Sequence, residues 1–292
     1  MSDYHLHLHH HGPYAGLGPE PGVYPPGHID SYVDRAFELG EEQVCFTEHL
    51  YRCVESGPIL GRFWDDEPRR DLAEQTERFV TEDRTLRLET YVEAVVDARD
   101  RGLPVLLGLE VDFFPETIDA VLDLIAPYPW DLLIGSVHWI GGWSLDHPEV
   151  VAEFTARGVR RVYEEYFSLE AELASSGSVD VLAHVDLIKV FGHRLDSPPV
   201  DLYRPVVEGA VASGTAVEIN TSGLRGLAGE LYPGPTLLEM FSTAGVPITL
   251  ASDAHNPEGV GADFDQARQA ARSAGYTTRL DFAGRVGKPV TL

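Results

Sequence analysis

Seven short β-rich runs alternate with helical stretches along this chain, and that rhythm admits few folds. The runs are 3–9, 43–48, 104–111, 131–137, 179–183, 215–220 and 247–252. Helical stretches fall at about 28–40, 82–101, 116–126, 149–177, 201–213, 234–244 and 264–274, with amphipathic spacing clearest in Leu88, Tyr91, Val92 and Val95. Strands that each return through a helix make a parallel sheet, so the pattern predicts an α/β fold, and seven such pairs predict a barrel. Two segments break the rhythm and read as insertions at the rim: 50–81, rich in charge and long enough to be a lid, and 140–148, which contains Gly141-Gly142-Trp143. Neither has the composition of a linker, so a single domain over 1–292 is expected.

In such barrels the chemistry sits on the loops at the C-terminal strand ends. Here those ends carry ligand-type residues one after another. The first run, Asp3-Tyr4-His5-Leu6-His7-Leu8-His9-His10-His11, sets imidazoles on one face and leucines on the other. An affinity tag would not be interrupted by leucines inside a credible strand. The later runs end in Thr47-Glu48-His49, Gly108-Leu109-Glu110, Ser136-Val137-His138, Ala183-His184, Glu218-Ile219-Asn220 and Ser252-Asp253-Ala254-His255. A single histidine at the end of an apolar strand is an ordinary structural residue; a succession of them would each need a buried partner. A divalent cation removes that difficulty, because neutral imidazoles become its ligands.

Composition narrows the chemistry. The 292 residues, 43% of them hydrophobic, can bury a large core, and no apolar run approaches the roughly 20 residues of a membrane span. The polar, histidine-rich start is unlike a signal peptide, so a cytoplasmic location is expected. Cys45 and Cys53 are the only cysteines, which rules out a disulfide scaffold. A formal net charge of −25 repels a phosphate backbone, so a general nucleic-acid binder is disfavoured and an anionic partner should be small and drawn in by bound cations. Imidazoles with Glu110 and Asp253, and no thiolate, suit Zn, Mn or Fe held for hydrolysis. Glu110 can bridge two ions, and clustered ions that activate a water and clamp phosphate oxygens point to a phosphoester.

At His5-Leu-His7, Thr47-Glu-His49, Gly108-Leu-Glu110, Ser136-Val-His138, Ala183-His184 and Ser252-Asp253-Ala-His255 the sequence resembles the polymerase and histidinol phosphatase (PHP) superfamily over almost its whole length. The resemblance implies a distorted (β/α)7 TIM-like barrel with two or three divalent metal ions at its C-terminal face. It also implies that His5, His7, Glu110 and Asp253 hold one ion and that Glu110, His138 and His184 hold a second. His49 and His255 would hold a third with one histidine of the first loop. The family's third histidine usually comes further along, where this chain has Pro13, so His9 or His11 must substitute; His11 is favoured. His10 points the other way on an extended chain.

Within the superfamily, Trp143-Ser-Leu-Asp146-His147-Pro148, His184-Val-Asp186-Leu-Ile-Lys189-Val-Phe191-Gly192, Glu218-Ile-Asn220-Thr-Ser-Gly-Leu-Arg225 and Glu230-Leu-Tyr232-Pro233 resemble the histidinol-phosphatase branch. Lys189 and Arg225 follow metal-bearing strands and suit phosphate oxygens. Asp146 or Glu230 would pair with a substrate ammonium or imidazolium, Trp143 would stack on an imidazole, and Asn220 belongs to the same substrate-binding set. The expected reaction is attack on phosphorus by a metal-bound hydroxide, with Glu110, Asp253 and His255 carrying the catalytic centre. Its general acid would be a metal-bound water, His255 or Asp186. Histidinol phosphate is the favoured substrate. A nuclease or nucleotide phosphoesterase of the same superfamily comes second, and a catalytically silent metal-binding protein third.

Overall fold

A computed structural model describes residues 2–10 and 18–292. At its centre, seven parallel strands lie side by side in chain order: β1 (Ser2–Leu6), β2 (Gln43–Phe46), β3 (Val105–Asp112), β4 (Leu132–Ser136), β5 (Val181–Leu182), β6 (Ala216–Asn220) and β7 (Ile248–Ala251). The two outer strands meet at their C-terminal ends. His7 N–H donates to Ala254 O and Asp253 N–H to His5 O, both at 2.9 Å, so the sheet curls into a nearly closed barrel. Gly108 makes close approach possible: a Cβ there would stand 2.7 Å from Cys45 Sγ and 2.9 Å from Phe46 O.

The crossovers supply an outer layer of α1 (His28–Glu38), α2 (Arg70–Asp83), α3 (Leu88–Asp100), α4 (Ile118–Ile125), α5 (Val159–Ser176), α6 (Val200–Ser213), α7 (Pro235–Ala244) and α8 (Phe264–Ser273). Their apolar faces bury against the sheet, as with Tyr91, Val92, Val95 and Ala98 of α3. None of the helices among the described residues is long and apolar enough to cross a membrane.

A hairpin that the strand–helix rhythm did not anticipate, β8 (Thr278–Ala283) with β9 (Val286–Thr291), plugs the N-terminal end of the barrel. Its Phe282 packs in a small cluster with Tyr4, Cys45, Leu132, Ile134, Val181, Ala183 and Ala216. Tyr4 Oη receives a hydrogen bond from Phe282 N–H at 3.0 Å and donates one to Asp281 at 3.0 Å. With that end sealed, the other end is left for chemistry.

Two expected helices are shorter than their patterns. Residues 84–87 are not helical, because Leu86 is tied to the first insertion: Leu86 N–H donates to Arg52 O at 3.0 Å and Val54 N–H to Leu86 O at 2.8 Å. The 149–177 stretch breaks at Gly158, whose φ of 87° ends one helix before α5 begins. Within the first insertion α2 forms a wall of the barrel mouth, and the second insertion is a ribbon pairing Trp139–Ile140 with Trp143–Ser144. Thr76 of α2 donates to Gly142 O at 2.6 Å, which joins the two insertions.

Candidate metal centre

Residues two apart on a strand share a face, so β3 presents Gly108, Glu110 and Asp112 to the barrel interior. Glu110, fully buried, is the point at which the strand ends converge. Its Oε2 lies 2.7 Å from His49 Nδ1, 3.3 Å from His5 Nε2 and 3.6 Å from His7 Nε2. Its Oε1 lies 3.1 Å from His184 Nε2 and 3.5 Å from His138 Nε2, and also accepts from Ser136. Asp253 Oδ1 stands 3.6 Å from His5 Nε2 and 3.4 Å from His7 Nε2. His7 stacks between His49 and His255, with ring centroids 4.4 Å away on both sides.

Several of these groups are held from behind. Glu218 on β6 places both oxygens 3.1 Å from His5 Nδ1, and its Oε1 also accepts from His184 N–H at 2.8 Å and Asn220 Nδ2 at 2.7 Å. Asp112 holds His138 Nδ1 at 2.8 Å and accepts from Tyr51 N–H at 3.1 Å. Asn220 and Ser222 reach Asp253 Oδ2 at 3.3 and 3.2 Å. His184 and Asp253 both take positive φ, 24° and 56°, a strained backbone for residues with side chains. Such strain persists only where surrounding bonds over-determine it, as they do here.

The electrostatics favour cations. Burial alone would push the Glu110 and Asp253 carboxyls up, yet the imidazoles around them (His49 and His5 for Glu110, His5 and His7 for Asp253) hold both well below the usual range. Burial opposes the charged form of His5, but Glu218, Asp253 and Glu110 outweigh it and raise its pKa well above normal. The buried anions therefore require positive charge. Ligands about 2.1 Å from a tetrahedral cation stand about 3.4 Å from one another. His5 and His7 show that spacing to each other and to both Glu110 and Asp253, from 3.1 to 3.6 Å. Three further groups converge in the same way: His5, His184 and Asp253; His49, Glu110 and His138; His7, His49 and His255. The donor set fits divalent ions.

Of the two candidates from the first loop, the structure describes only His9. His9 does not join the cluster; its Nε2 lies 3.2 Å from Val23 O and its Nδ1 3.5 Å from Glu48. The chain leaves the strand after Leu6, so the alternation carries only His5 and His7 into the site. His11 lies outside the described residues.

The cluster opens into a cavity of about 470 Å³ lined by Tyr51, Phe79, Trp139, Leu187, Phe191 and Leu227, with Arg225 and Asp146 among its charged residues. Of the six side chains expected to meet substrate, only these two charged ones reach it. Arg225 is anchored by a 2.7 Å hydrogen bond to Ser252 O, and Asp146 by Ser144 at 2.9 Å. Lys189 is 3% exposed, and its ammonium is taken up by Asp186 at 2.7 Å, Leu231 O at 2.8 Å and Glu230 at 2.9 Å. It cannot bind phosphate from there. Glu230 is held by Lys189 and Arg194 beside a separate cavity of about 220 Å³. Asp186 faces that side too, accepting from Gly234 N–H at 2.9 Å, so the structure does not support it as a general acid. Trp143 is fully buried, edge-on to Phe154 and under Arg157, and Asn220 is spent on Glu218 and Asp253.

Several contributors were not singled out from sequence, Tyr51 and Phe79 of the cavity wall among them. Asp112 was legible, being two residues beyond Glu110 on one strand. Trp139 pairs across the ribbon with Ser144 and so lies on the opposite face from Trp143. Ser222 had no signal beyond its place after a strand end.

Residues 5–222 match the family model described as PHP domain. A probable histidinol-phosphatase of Deinococcus radiodurans is 34% identical over 278 residues, covering 95% of each chain. A probable histidinol-phosphatase of Schizosaccharomyces pombe is 26% identical, with 92% of this chain and 90% of that one covered. Among solved structures, histidinol phosphate phosphatase from Lactococcus lactis, crystallised with zinc, L-histidinol and phosphate, superposes with a TM-score of 0.70 at 20% identity, covering 98% of each chain.

Proposed function

The chain belongs to the PHP-domain family, and from that premise we propose that it is a metal-dependent phosphomonoesterase whose substrate is histidinol phosphate. The observation that carries the reading is the buried Glu110, with imidazoles at both oxygens, whose partners His49, His138 and His184 line a 470 Å³ cavity together with Asp253, the Arg225 guanidinium and the Asp146 carboxylate. His5, His7, Glu110 and Asp253 hold one ion; Glu110, His138 and His184 hold a second. His49 and His255 hold a third where His11 completes it. Zn, Mn and Fe all suit these donors. Bound there, the ions supply an activated water and positive charge for the phosphoryl oxygens.

The residues of the chain do the rest. Arg225 binds a phosphoryl oxygen, and Asp146 meets the substrate's ammonium. The aromatic wall of Tyr51, Phe79, Trp139 and Phe191 packs the imidazole and excludes water. Glu218 and Asp112 fix His5 and His138 with Nε2 facing the cluster. The reaction breaks the bond between phosphorus and the ester oxygen, with water supplying the hydroxyl and histidinol leaving as the alcohol. The acidic chain, net charge −25, and the small cavity weigh against a nucleic-acid substrate. Two buried free cysteines accord with a cytoplasmic enzyme.

The test is a panel of histidinol phosphate, an aryl phosphate, nucleotides and single-stranded DNA, run on metal-loaded wild type and Asp146→Asn. Histidinol phosphate should be preferred by the wild type, and the variant should lose that preference while keeping aryl phosphatase activity. Equal losses on both esters would remove the case for histidinol phosphate.

A further inference from the structure

Tyr232 lines the catalytic cavity, yet nothing above gives it a task. Its side chain is almost entirely enclosed, the residue being 2% exposed. Lys189 Nζ sits 5.2 Å from the ring centroid, and the His184 ring centroid is 6.5 Å away. Gly223 passes so close that a Cβ would stand 2.8 Å from the Tyr232 ring edge. The backbone is pinned as well: Asn220 N–H donates to Tyr232 O at 2.7 Å, and Tyr232 N–H to Asn220 O at 3.0 Å. This ring cannot swing away.

Several buried phenols elsewhere in the protein are satisfied, although Tyr24 Oη finds no partner among the described residues. Tyr4, Tyr32, Tyr51, Tyr91 and Tyr166 each donate to a carboxylate or a carbonyl. Among the described residues, no group accepts from the Tyr232 hydroxyl, and that oxygen is not sealed off, so it stays open to the cavity that Tyr232 lines. A rigidly held hydroxyl that opens on a cavity and has no protein acceptor is free to donate to any ligand that provides one. The cavity's proposed ligand does: a phosphate ester carries only acceptor oxygens on phosphorus.

We propose that the Tyr232 hydroxyl is a catalytic hydrogen-bond donor to the phosphoryl group of the substrate. The proposal rests on the phosphomonoesterase reading of the site. Burial, followed by the carboxylates of Asp186, Asp253 and Asp146, pushes the phenol's pKa up. The position of Lys189 also gains a reason. Its N–H groups are committed to Asp186, Glu230 and Leu231 O, while its charge lies against the face of the phenol ring. It acts on the substrate through Tyr232 and is a positioning residue.

Tyr232→Phe keeps the ring and deletes the donor. The metal-loaded variant should retain wild-type metal content and melting temperature. Its kcat/KM should fall roughly ten- to hundred-fold on histidinol phosphate and on an aryl phosphate alike, the range for one preorganised donor. Inorganic phosphate should inhibit it several-fold more weakly. Values of kcat/KM and phosphate inhibition within two-fold of wild type, at full metal content, would overturn the proposal. Loss of metal together with activity would also overturn it, by making Tyr232 a packing residue. A wild type inactive on both esters would defeat the reading of the whole site instead, and the role of Tyr232 with it.

Discussion

Glu218→Gln changes one atom at the back of the metal cluster and should disable His5. The carboxylate faces three donors: His5 Nδ1 at 3.1 Å from both oxygens, His184 N–H at 2.8 Å and Asn220 Nδ2 at 2.7 Å, the last two on Oε1. A glutamine has only one acceptor oxygen. If that oxygen stays with His184 and Asn220, the amide NH2 points at His5 Nδ1, and His5 must move its proton to Nε2, the atom that faces Glu110 and Asp253. A protonated Nε2 cannot bind a metal. If the amide turns over, two buried donors face an NH2, at about 1–3 kcal/mol each. The first arrangement costs on the order of 1.4–2.8 kcal/mol, equivalent to the ten- to hundred-fold loss of metal affinity typical for such supporting groups, and the second about 2–6 kcal/mol. Chelator-competition titration with zinc measures it, and circular dichroism confirms that the isosteric variant folds. Unchanged affinity for every ion would refute the argument that Glu218 sets the tautomer of His5.

Glu110→Gln should lose more than one ion by elemental analysis, because its two oxygens serve different imidazole groups; full metal content with normal turnover would exclude bridging. Lys189→Met strands the buried Asp186 carboxylate and should cost about 3–5 kcal/mol in urea unfolding, with activity losses equal for histidinol phosphate and an aryl phosphate. A loss confined to one ester would return Lys189 to direct substrate contact. Glu170 on α5 is buried, and desolvation raises its pKa well above normal although Tyr166 donates to it at 2.8 Å. The folded state therefore holds a proton that the unfolded chain releases above about pH 4.5, so this contribution is complete at low pH and declines as pH rises toward the folded pKa. The wild-type minus Glu170→Gln stability difference should fall by up to about 1.4 kcal/mol per pH unit as the pH rises above about 5, and a flat difference would contradict it.

The barrel and the convergence of its strand ends were legible because both follow from periodicity. A strand–helix repeat fixes strand order, and strand order brings Glu110, His138, His184 and Asp253 to one end. What the side chains do after leaving a strand was not legible. Lys189 and Arg225 look alike in sequence, as cations following ligand-bearing strands. The 3-10 turn Leu187–Lys189 directs Lys189 back to Asp186, whereas the turn Ser222–Arg225 leaves Arg225 at the cavity. Trp143 and Trp139 were separable only by the register of a two-residue ribbon. The terminal hairpin escaped notice because it pairs with itself and has no helix to keep the rhythm. His9 was passed over in favour of His11 from sequence, and the chain does turn away after Leu6 and carry His9 out of the cluster.

The central claim is that clustered divalent ions at Glu110 make this chain a phosphatase, and reconstitution of stripped protein tests it most directly. Chelator-treated protein should release no phosphate from histidinol phosphate, and activity should return as about two to three equivalents of Zn, Mn or Fe per chain are restored. Stripped protein that hydrolyses the ester at the full rate, or loaded protein that leaves it intact, would contradict the account.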